Sequence, residues 1–454
     1  MPMIENQAFE SLRQAFETSH VSTDQRKELL RRIQLWIADH ESEIYDALHS
    51  DLHKPKLEAY LSEIYFTQAG IKHCLQHLDT WAKPKKVSSS ISNFPSKNWV
   101  QPTPKGVVLI IAPWNYPFHL SLAPLIEAIS AGNRIILKPS ELAPHTSHLL
   151  HNMFSNHFFD SFVRVVEGGK ETTENLLKLP FDHIFFTGGT AVGKIVAQEA
   201  AKNLSPVTLE LGGKNPCIVD STANLELSVK RILNAKFFNS GQTCLAPDFV
   251  WVDRSIQREF VELSKTMLSR FYPSVEEWKQ DTARIINQRH FDRLMNMISP
   301  QDWALHPHSS SELRIAPTLI ENPSWNHPAL QEEIFGPILP IVSFDSHEDV
   351  IRRIRTSTPL ALYVFSSDQR VQKKYLDQTR SGGVCFNDCM KQFTNHRMPF
   401  GGVGQSGYGA YHGSFGFEAF SHMRSVALRG FWWDKFSAYP PYKKIFSTIR
   451  KFVK

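Results

Sequence analysis

The chain is short of cysteine, with five in 454 residues: Cys74, Cys217, Cys244, Cys385 and Cys389. The number is odd and the positions mostly lie far apart, so reduced thiols in a cytoplasmic setting are expected and a disulfide framework is not. Cys385 and Cys389 stand four apart with no second pair at metal-ligand spacing, so no metal site is expected. Net charge is equally scant, at +5. Lys443, Lys444, Arg450, Lys451 and Lys454 supply all of it, and without them basic and acidic residues balance at 45 each. A body with no excess base offers no face to nucleic acid. Also missing is any run of roughly 18 uncharged apolar residues, which excludes a membrane span. Met1 to Phe16 mixes Glu5, Glu10 and Arg13 with apolar residues, which is not the pattern of a signal peptide.

What is present reads as a multidomain α/β protein. Phe9, Leu12 and Phe16 keep helical spacing, as do Leu29, Leu30, Ile33, Trp36 and Ile37, so residues 4 to about 80 are predicted to be helical. Lys83 to Lys97, rich in Ser, Pro and Lys, reads as a linker or excursion. Val107 to Ala112 is a continuous apolar run, the mark of a strand buried on both faces. From there strands and helices alternate. Helix Phe118 to Ala131 stops at Gly132-Asn133. Strands are predicted at 134–137, 162–166, 183–186 and 207–211, with helices near 172–179 and 191–204. A second alternating series starts at Cys217-Ile218-Val219. Such alternation implies parallel sheets with right-handed crossovers, and a hinge is expected near Gly212-Gly213.

Several short segments could carry chemistry. Thr187-Gly188-Gly189-Thr190-Ala191-Val192-Gly193-Lys194 lies between a strand and a helix, where glycines let a pyrophosphate approach backbone N–H groups. Gly188, Gly193 and Lys194 also match a nucleoside triphosphate loop, but Ile195 stands where a Ser or Thr must hold Mg²⁺. Lys138-Pro139-Ser140-Glu141 follows a strand, and Lys138 and Glu141 could hold ribose hydroxyls; a plain helix start capped by Ser140 explains them as well. Cys244, after Asn239-Ser240-Gly241-Gln242-Thr243, is either a packing residue or an accessible thiol of depressed pKa on a loop. Glu210, inside an apolar strand end, must be ion-paired or have a raised pKa, and the second suits a general base. Asn115, held among Trp114, Tyr116 and two prolines, could donate to a developing oxyanion. Glu332-Glu333-Ile334-Phe335-Gly336-Pro337 and Pro399-Phe400-Gly401-Gly402 read as structured turns.

In this order, from about Asp51 to Arg429, these segments resemble the aldehyde dehydrogenase superfamily. The likeness rests on Pro113-Trp114-Asn115-Tyr116-Pro117, Lys138-Pro139-Ser140-Glu141, Phe186-Thr187-Gly188-Gly189, Leu209-Glu210-Leu211-Gly212-Gly213-Lys214, Gly241-Gln242-Thr243-Cys244, Glu333-Ile334-Phe335-Gly336-Pro337 and Pro399-Phe400-Gly401-Gly402. Ala246-Pro247-Asp248, Tyr411-His412-Gly413 and Phe420-Ser421-His422 look like the class 3 branch. Gly189 departs from the Ser of many relatives. Asp51-Leu52-His53-Lys54-Pro55 departs from Asp-Leu-Gly-Lys-Pro, in a segment that looks peripheral.

The resemblance implies two open parallel-sheet α/β domains. Residues 1–211 would be a Rossmann-type cofactor domain with an oligomerisation excursion near 83–103. Residues 212–390 would be the catalytic thiol domain, and 391–454 a return segment with a Gly-rich loop and tail. It implies oxidation of an aldehyde, medium- or long-chain aliphatic or aromatic, to its acid. NAD, or alternatively NADP, would be the cofactor, in a homodimer. Cys244 would be the nucleophile, Glu210 the base that hydrolyses the thioester, and Asn115 with the Cys244 N–H the oxyanion donors. Trp114, Lys138, Glu141, Thr187, Gly188, Gly189, Val192, Gly193, Leu211, Gly212, Glu333 and Phe335 would hold the dinucleotide. Tyr116, Thr243 and Phe400 would line the aldehyde channel. In the tail, Ile445, Phe446, Ile449, Phe452 and Val453 share a helical face opposite Lys and Arg, a pattern that suits weak contact with an anionic membrane surface.

Overall fold

The computed structural model describes residues 4–90 and 93–432, with residues 439, 440, 442, 446 and 450 of the tail. The membrane-contact face expected of the tail lies outside the described residues, Phe446 apart. Among the described residues no helix is long and apolar enough to cross a membrane.

The chain opens on helices Ile4–Thr18, Thr23–Asp39 and Glu41–Leu52, a short turn Lys56–Ala59, a π-helical turn Tyr60–Tyr65 and helix Phe66–Ala82. Their apolar spacing is used as the sequence suggests. Phe9 and Leu12 are buried against Val107 and Leu109, while Leu29, Leu30, Ile33 and Ile37 join the largest core cluster. Ser22 starts the second helix with a reciprocal cap to Gln25, which satisfies two otherwise free N–H groups.

Two open sheets follow. The first has six strands in the order Gly407–Tyr408, Val207–Leu211, His183–Gly188, Val107–Ile111, Arg134–Lys138 and Val163–Val165. All pairs are parallel except the one made by Gly407–Tyr408. On Val107–Ile111, Val107, Leu109 and Ile111 face one cluster and Val108 and Ile110 the other, as the uninterrupted apolar run requires. The strand order reverses between Val107–Ile111 and His183–Gly188, so the loops after these two strands open the crevice where ligands bind in such sheets. The second sheet has seven strands, in the order Trp303–Ala304, Thr318–Glu321, Ile338–Phe344, Phe249–Asp253, Pro216–Val219, Ala361–Phe365 and Gly383–Phe386, parallel but for the first.

The segment read as a linker is partly regular. Lys85–Val87 and Ser96–Pro104 pair antiparallel, and Ser421–Arg429 completes a three-stranded sheet. Its residues are exposed or half-buried on both faces, so no apolar alternation announces it. The N-cap role offered to Ser140 also fails. Helix Pro144–Phe154 starts after Ala143, and the carboxylate of Asp51 caps it instead. Asp51 accepts from the N–H of His145 at 3.0 Å, the N–H of Thr146 at 2.8 Å and the Thr146 hydroxyl at 2.7 Å.

Asp51→Ala leaves those buried donors unpaired and should cost about 2–3 kcal/mol of stability. Urea unfolding read by circular dichroism checks this; an unchanged midpoint would show that the cap carries no stability.

Candidate active site

The carboxyl ends of the two sheets face one cleft of ≈ 1400 Å³. It gathers Trp114, Asn115, Tyr116, Thr187, Gly188, Gly189, Glu210, Leu211, Gly212, Thr243, Cys244, Glu333, Phe335 and Phe400, which the sequence scatters over almost 290 positions. Lys138, Glu141, Val192 and Gly193 do not line it.

Cys244 owes its place to an abrupt chain reversal. Helix Leu225–Phe237 ends, and Asn239, Ser240 and Gly241 then take left-handed φ values of 53°, 51° and 72°. Three such residues in a row are costly except where surrounding bonds enforce them. Gly241 is obligatory, because a Cβ there would lie 2.3 Å from the carbonyl oxygen of Gly336. Gln242 braces the turn from inside. Its amide donates to the Asn239 and Arg284 carbonyls at 3.2 and 3.0 Å and accepts from the N–H of Ile286 at 3.1 Å. Asn215 braces the far side by donating to the carbonyls of Cys244 at 2.6 Å and Ala246 at 3.1 Å.

The thiol is not depressed in pKa, as a loop cysteine could be. Burial pushes it up to about 12, with Glu333 and Glu210 adding to the rise, while the N–H groups of Cys244 and Leu245 pull weakly the other way. Glu210 resolves the other alternative left open by its sequence. Neither carboxyl oxygen has a hydrogen-bond partner. Burial, reinforced by Glu127, holds its pKa well above the ordinary carboxyl value. It sits on a strand paired on both sides, opposite Thr187 and Gly407, so its backbone cannot swing it away.

Asn115 follows strand Val107–Ile111, which His183–Gly188 separates from the strand of Glu210, and is 4% exposed. One N–H of its side-chain amide is spent on the Gln242 carbonyl at 2.9 Å, leaving the second for a ligand. The Tyr116 hydroxyl meets the Thr243 hydroxyl at 2.5 Å. With the Asn239 side-chain amide donating to the Asn115 carbonyl at 3.0 Å, the loops that carry Asn115 and Cys244 are bonded to each other three times.

The surrounding residues fit a dinucleotide. Gly189 is the N-cap of helix Thr190–Lys202 with no side-chain cap, and a Cβ placed on it would meet nothing within 4 Å. Free N–H groups facing open space at a helix start are suited to a pyrophosphate. At Gly193 a Cβ would strike Leu211 at 2.6 Å, so this glycine serves helix–sheet contact, while Val192 is 49% exposed on the outer face. Glu333 receives the N–H of Gly213 at 3.1 Å and packs where a Cβ of Gly212 would lie, and its pKa is raised by burial to about 8. Phe335 takes a left-handed φ of 52° and stands edge-on to Trp114, ring centres 5.4 Å apart. At the end of its strand Lys138 pairs with Glu141 at 2.8 Å. Burial works against the Glu141 carboxylate, but the hydrogen bond and charge of Lys138 prevail and lower its pKa.

One reading from sequence is wrong. The segment Asp51 to Pro55 is not peripheral, because Lys54 is buried and donates to the Asn115 carbonyl at 3.0 Å. Glu58, Glu63, Asn215, Asn239 and Gln242 also support the site. Asn239 and Gln242 stood in the segment before Cys244 without a role of their own, and nothing in the residues beside Glu58, Glu63 and Asn215 distinguishes a brace from a surface group.

The profile of the Aldehyde dehydrogenase family matches residues 5–426. The chain is 41% identical to a 4,4′-diaponeurosporen-aldehyde dehydrogenase of Staphylococcus aureus, covering 94% of each. It is 42% identical to a dimeric NADP-preferring aldehyde dehydrogenase of Canis lupus familiaris, covering 92% of each. Among solved structures, the substrate-bound state of Staphylococcus aureus AldH superposes with a TM-score of 0.96 at 40% identity, covering all of both chains.

A thiol held near 12 is almost wholly protonated at neutral pH, and the thiolate fraction grows with pH. Without added dinucleotide, alkylation of Cys244 by iodoacetamide should therefore accelerate roughly tenfold per pH unit from about pH 7 to about pH 9. Peptide mapping of the labelled protein measures it. A rate that is flat over that range would show an already ionised sulfur.

Proposed function

Since the chain belongs to the aldehyde dehydrogenase family and is an NAD(P)-dependent oxidoreductase that turns aldehydes into acids, we propose that Cys244, Glu210 and Asn115 carry that reaction. The observation that supports this most is the meeting of an accessible sulfur, an unpartnered buried carboxyl and a half-used amide in one cleft.

The thiolate fraction of Cys244, its proton given up to solvent, adds to the aldehyde carbon as the C=O electron pair moves onto oxygen, giving the anion of a hemithioacetal. Charge develops on the former carbonyl oxygen, and the free N–H of Asn115 together with the backbone N–H of Cys244 receives it. The chemistry that the dinucleotide supplies when bound is hydride acceptance, which leaves the carbon as a thioester on Cys244. Glu210 then takes a proton from water as that water attacks the thioester, and the acid leaves as the sulfur is released. A carboxyl of raised pKa can act as base only once ionised, so hydrolysis gains speed as pH rises.

Gly188, Gly189 and Thr187 would hold the pyrophosphate beside helix Thr190–Lys202. Leu211, Gly212, Glu333, Phe335 and Trp114 would border the nicotinamide half, and Lys138 with Glu141 the adenosine ribose, near Val192 and Gly193. Because Lys138 already neutralises Glu141, that carboxylate is not a bare charge facing a 2′-phosphate, and we infer that NADP is accepted as well as NAD. Tyr116, Thr243 and Phe400 would border the aldehyde, whose channel continues along Tyr65, Phe66, Leu120, Phe271 and Phe393. That wall favours medium- or long-chain aliphatic or aromatic aldehydes, in keeping with the relative named for a diaponeurosporen aldehyde. The free state of all five cysteines is in keeping with a cytoplasmic location. The dimeric relative supports a homodimer.

Cys244→Ala should lower aldehyde oxidation by on the order of a thousandfold or more while leaving dinucleotide binding, read by tryptophan fluorescence, intact. Near-normal turnover would remove Cys244 from the mechanism. In Glu210→Gln, stopped-flow mixing should give a burst of about one reduced dinucleotide per site and then a phase slowed roughly 10²–10⁴-fold. A steady rate equal to wild type would show that another group activates the water.

A further inference from the structure

We propose that Lys54, Glu58 and Glu63 are positioning residues for the oxyanion-binding amide of Asn115. They form a clamp, ionic at Lys54 and Glu63, that the N-terminal helices supply from outside both sheets. The inference rests on the oxyanion role given to Asn115 above.

Lys54 and Glu63 form an ion pair whose side chains are both fully buried. Taking two charges out of water costs several kcal/mol for each, and apolar residues of the same size would serve stability as well or better. The pair is not isolated, however. Lys54 Nζ donates to the main-chain oxygen of Asn115 at 3.0 Å and stands 4.2 Å over the ring of Tyr116. The second oxygen of Glu63 accepts the N–H groups of Phe118 and His119 at 3.1 and 2.9 Å. Helix His119–Ala131 has no cap from its own side chains, so Glu63 closes its start. Between them the two charges grip the turn from residue 115 to residue 119 at its carbonyl end and at its amide end.

Glu58 holds the facing loop. It accepts the N–H of Asn239 at 2.9 Å. Asn239 in turn donates to the same Asn115 oxygen at 3.0 Å and to the Gln242 carbonyl at 3.2 Å. The Gln242 carbonyl is also the acceptor that aims the Asn115 amide. Backbone on both sides of that amide is thus fixed by three side chains from residues 54–63, the Lys54 ammonium and the carboxyl groups of Glu58 and Glu63. Glu63 is a buried residue of the π-helical turn Tyr60–Tyr65. Glu63 of this turn meets Lys54 while Leu61, Ser62 and Tyr65 of the same turn line the cleft.

Two reactions of Cys244 separate aim from general integrity. Acylation by p-nitrophenyl acetate passes through a tetrahedral oxyanion; alkylation by iodoacetamide does not. In Lys54→Met/Glu63→Leu, which replaces the pair with apolar groups, acylation should fall about 10- to 100-fold while alkylation stays within about twofold. The single Glu58→Ala variant, which frees the N–H of Asn239 without leaving a buried charge unpaired, serves if the double variant does not fold. In an Asn115→Ala background the same replacement should lower acylation no further, because the amide it aims is gone. Unchanged acylation, an equal loss in both reactions, or a loss that multiplies fully with Asn115→Ala would each overturn the clamp. Should Asn115→Ala itself acylate at the wild-type rate, the oxyanion role of Asn115 is what fails, and the clamp with it.

Discussion

Cys244 and Glu210 line one cleft in which burial raises the pKa of each, with neighbouring carboxyl groups adding to both effects. Neither group is tied up in an ion pair among the described residues. The two oxygens of Glu210 remain without partners, and the sulfur meets only weak N–H contacts. Both are thereby left free for a ligand. Had Glu210 found a lysine, its pKa would have dropped and its basicity with it.

Neutral reacting groups cannot anchor themselves, so the scaffold holds them through backbone. Paired strands fix Glu210. A left-handed turn fixes Cys244, with the Asn215 and Gln242 side chains donating to its carbonyls. The loop of Asn115 is gripped by charges that come from another layer. Charge is therefore present in quantity around the cleft but is consumed in pairs, as in Lys54 with Glu63 and Lys214 with Asp248. The second pair serves the loop that carries Glu333. Asp248 also accepts the N–H of Ile334 at 2.9 Å, and Lys214 donates to the Ala329 carbonyl at 2.8 Å.

Much of this was legible in the sequence. The buried run at Val107, the stop at Gly132 with its φ of 93°, and the alternation of strands and helices come from local patterns, and those patterns survive in the fold. The segments around Asn115, Gly188, Glu210, Cys244 and Glu333 are short and contiguous, so they could be read before it was visible that they meet. What escaped is non-local. Asp51 and Glu63 cap helices that start about 94 and 56 positions further on, and no capping pattern in the sequence reaches that far. The strands at Lys85 and Ser96 lack an apolar face, so nothing marked them. The thiol's pKa depends on burial and on two carboxylates from other strands and loops, which the residues beside Cys244 do not reveal.

The account stands on a bond between one sulfur and the aldehyde carbon. Cys389 is the natural control, since it lines the same cleft. Rapid acid quench of the wild-type protein during turnover of a long-chain aldehyde, followed by peptide mass mapping, tests the claim most directly. The acyl mass should appear on the peptide that carries Cys244. Its appearance on the peptide of Cys389, or its absence from both throughout turnover, would contradict the account.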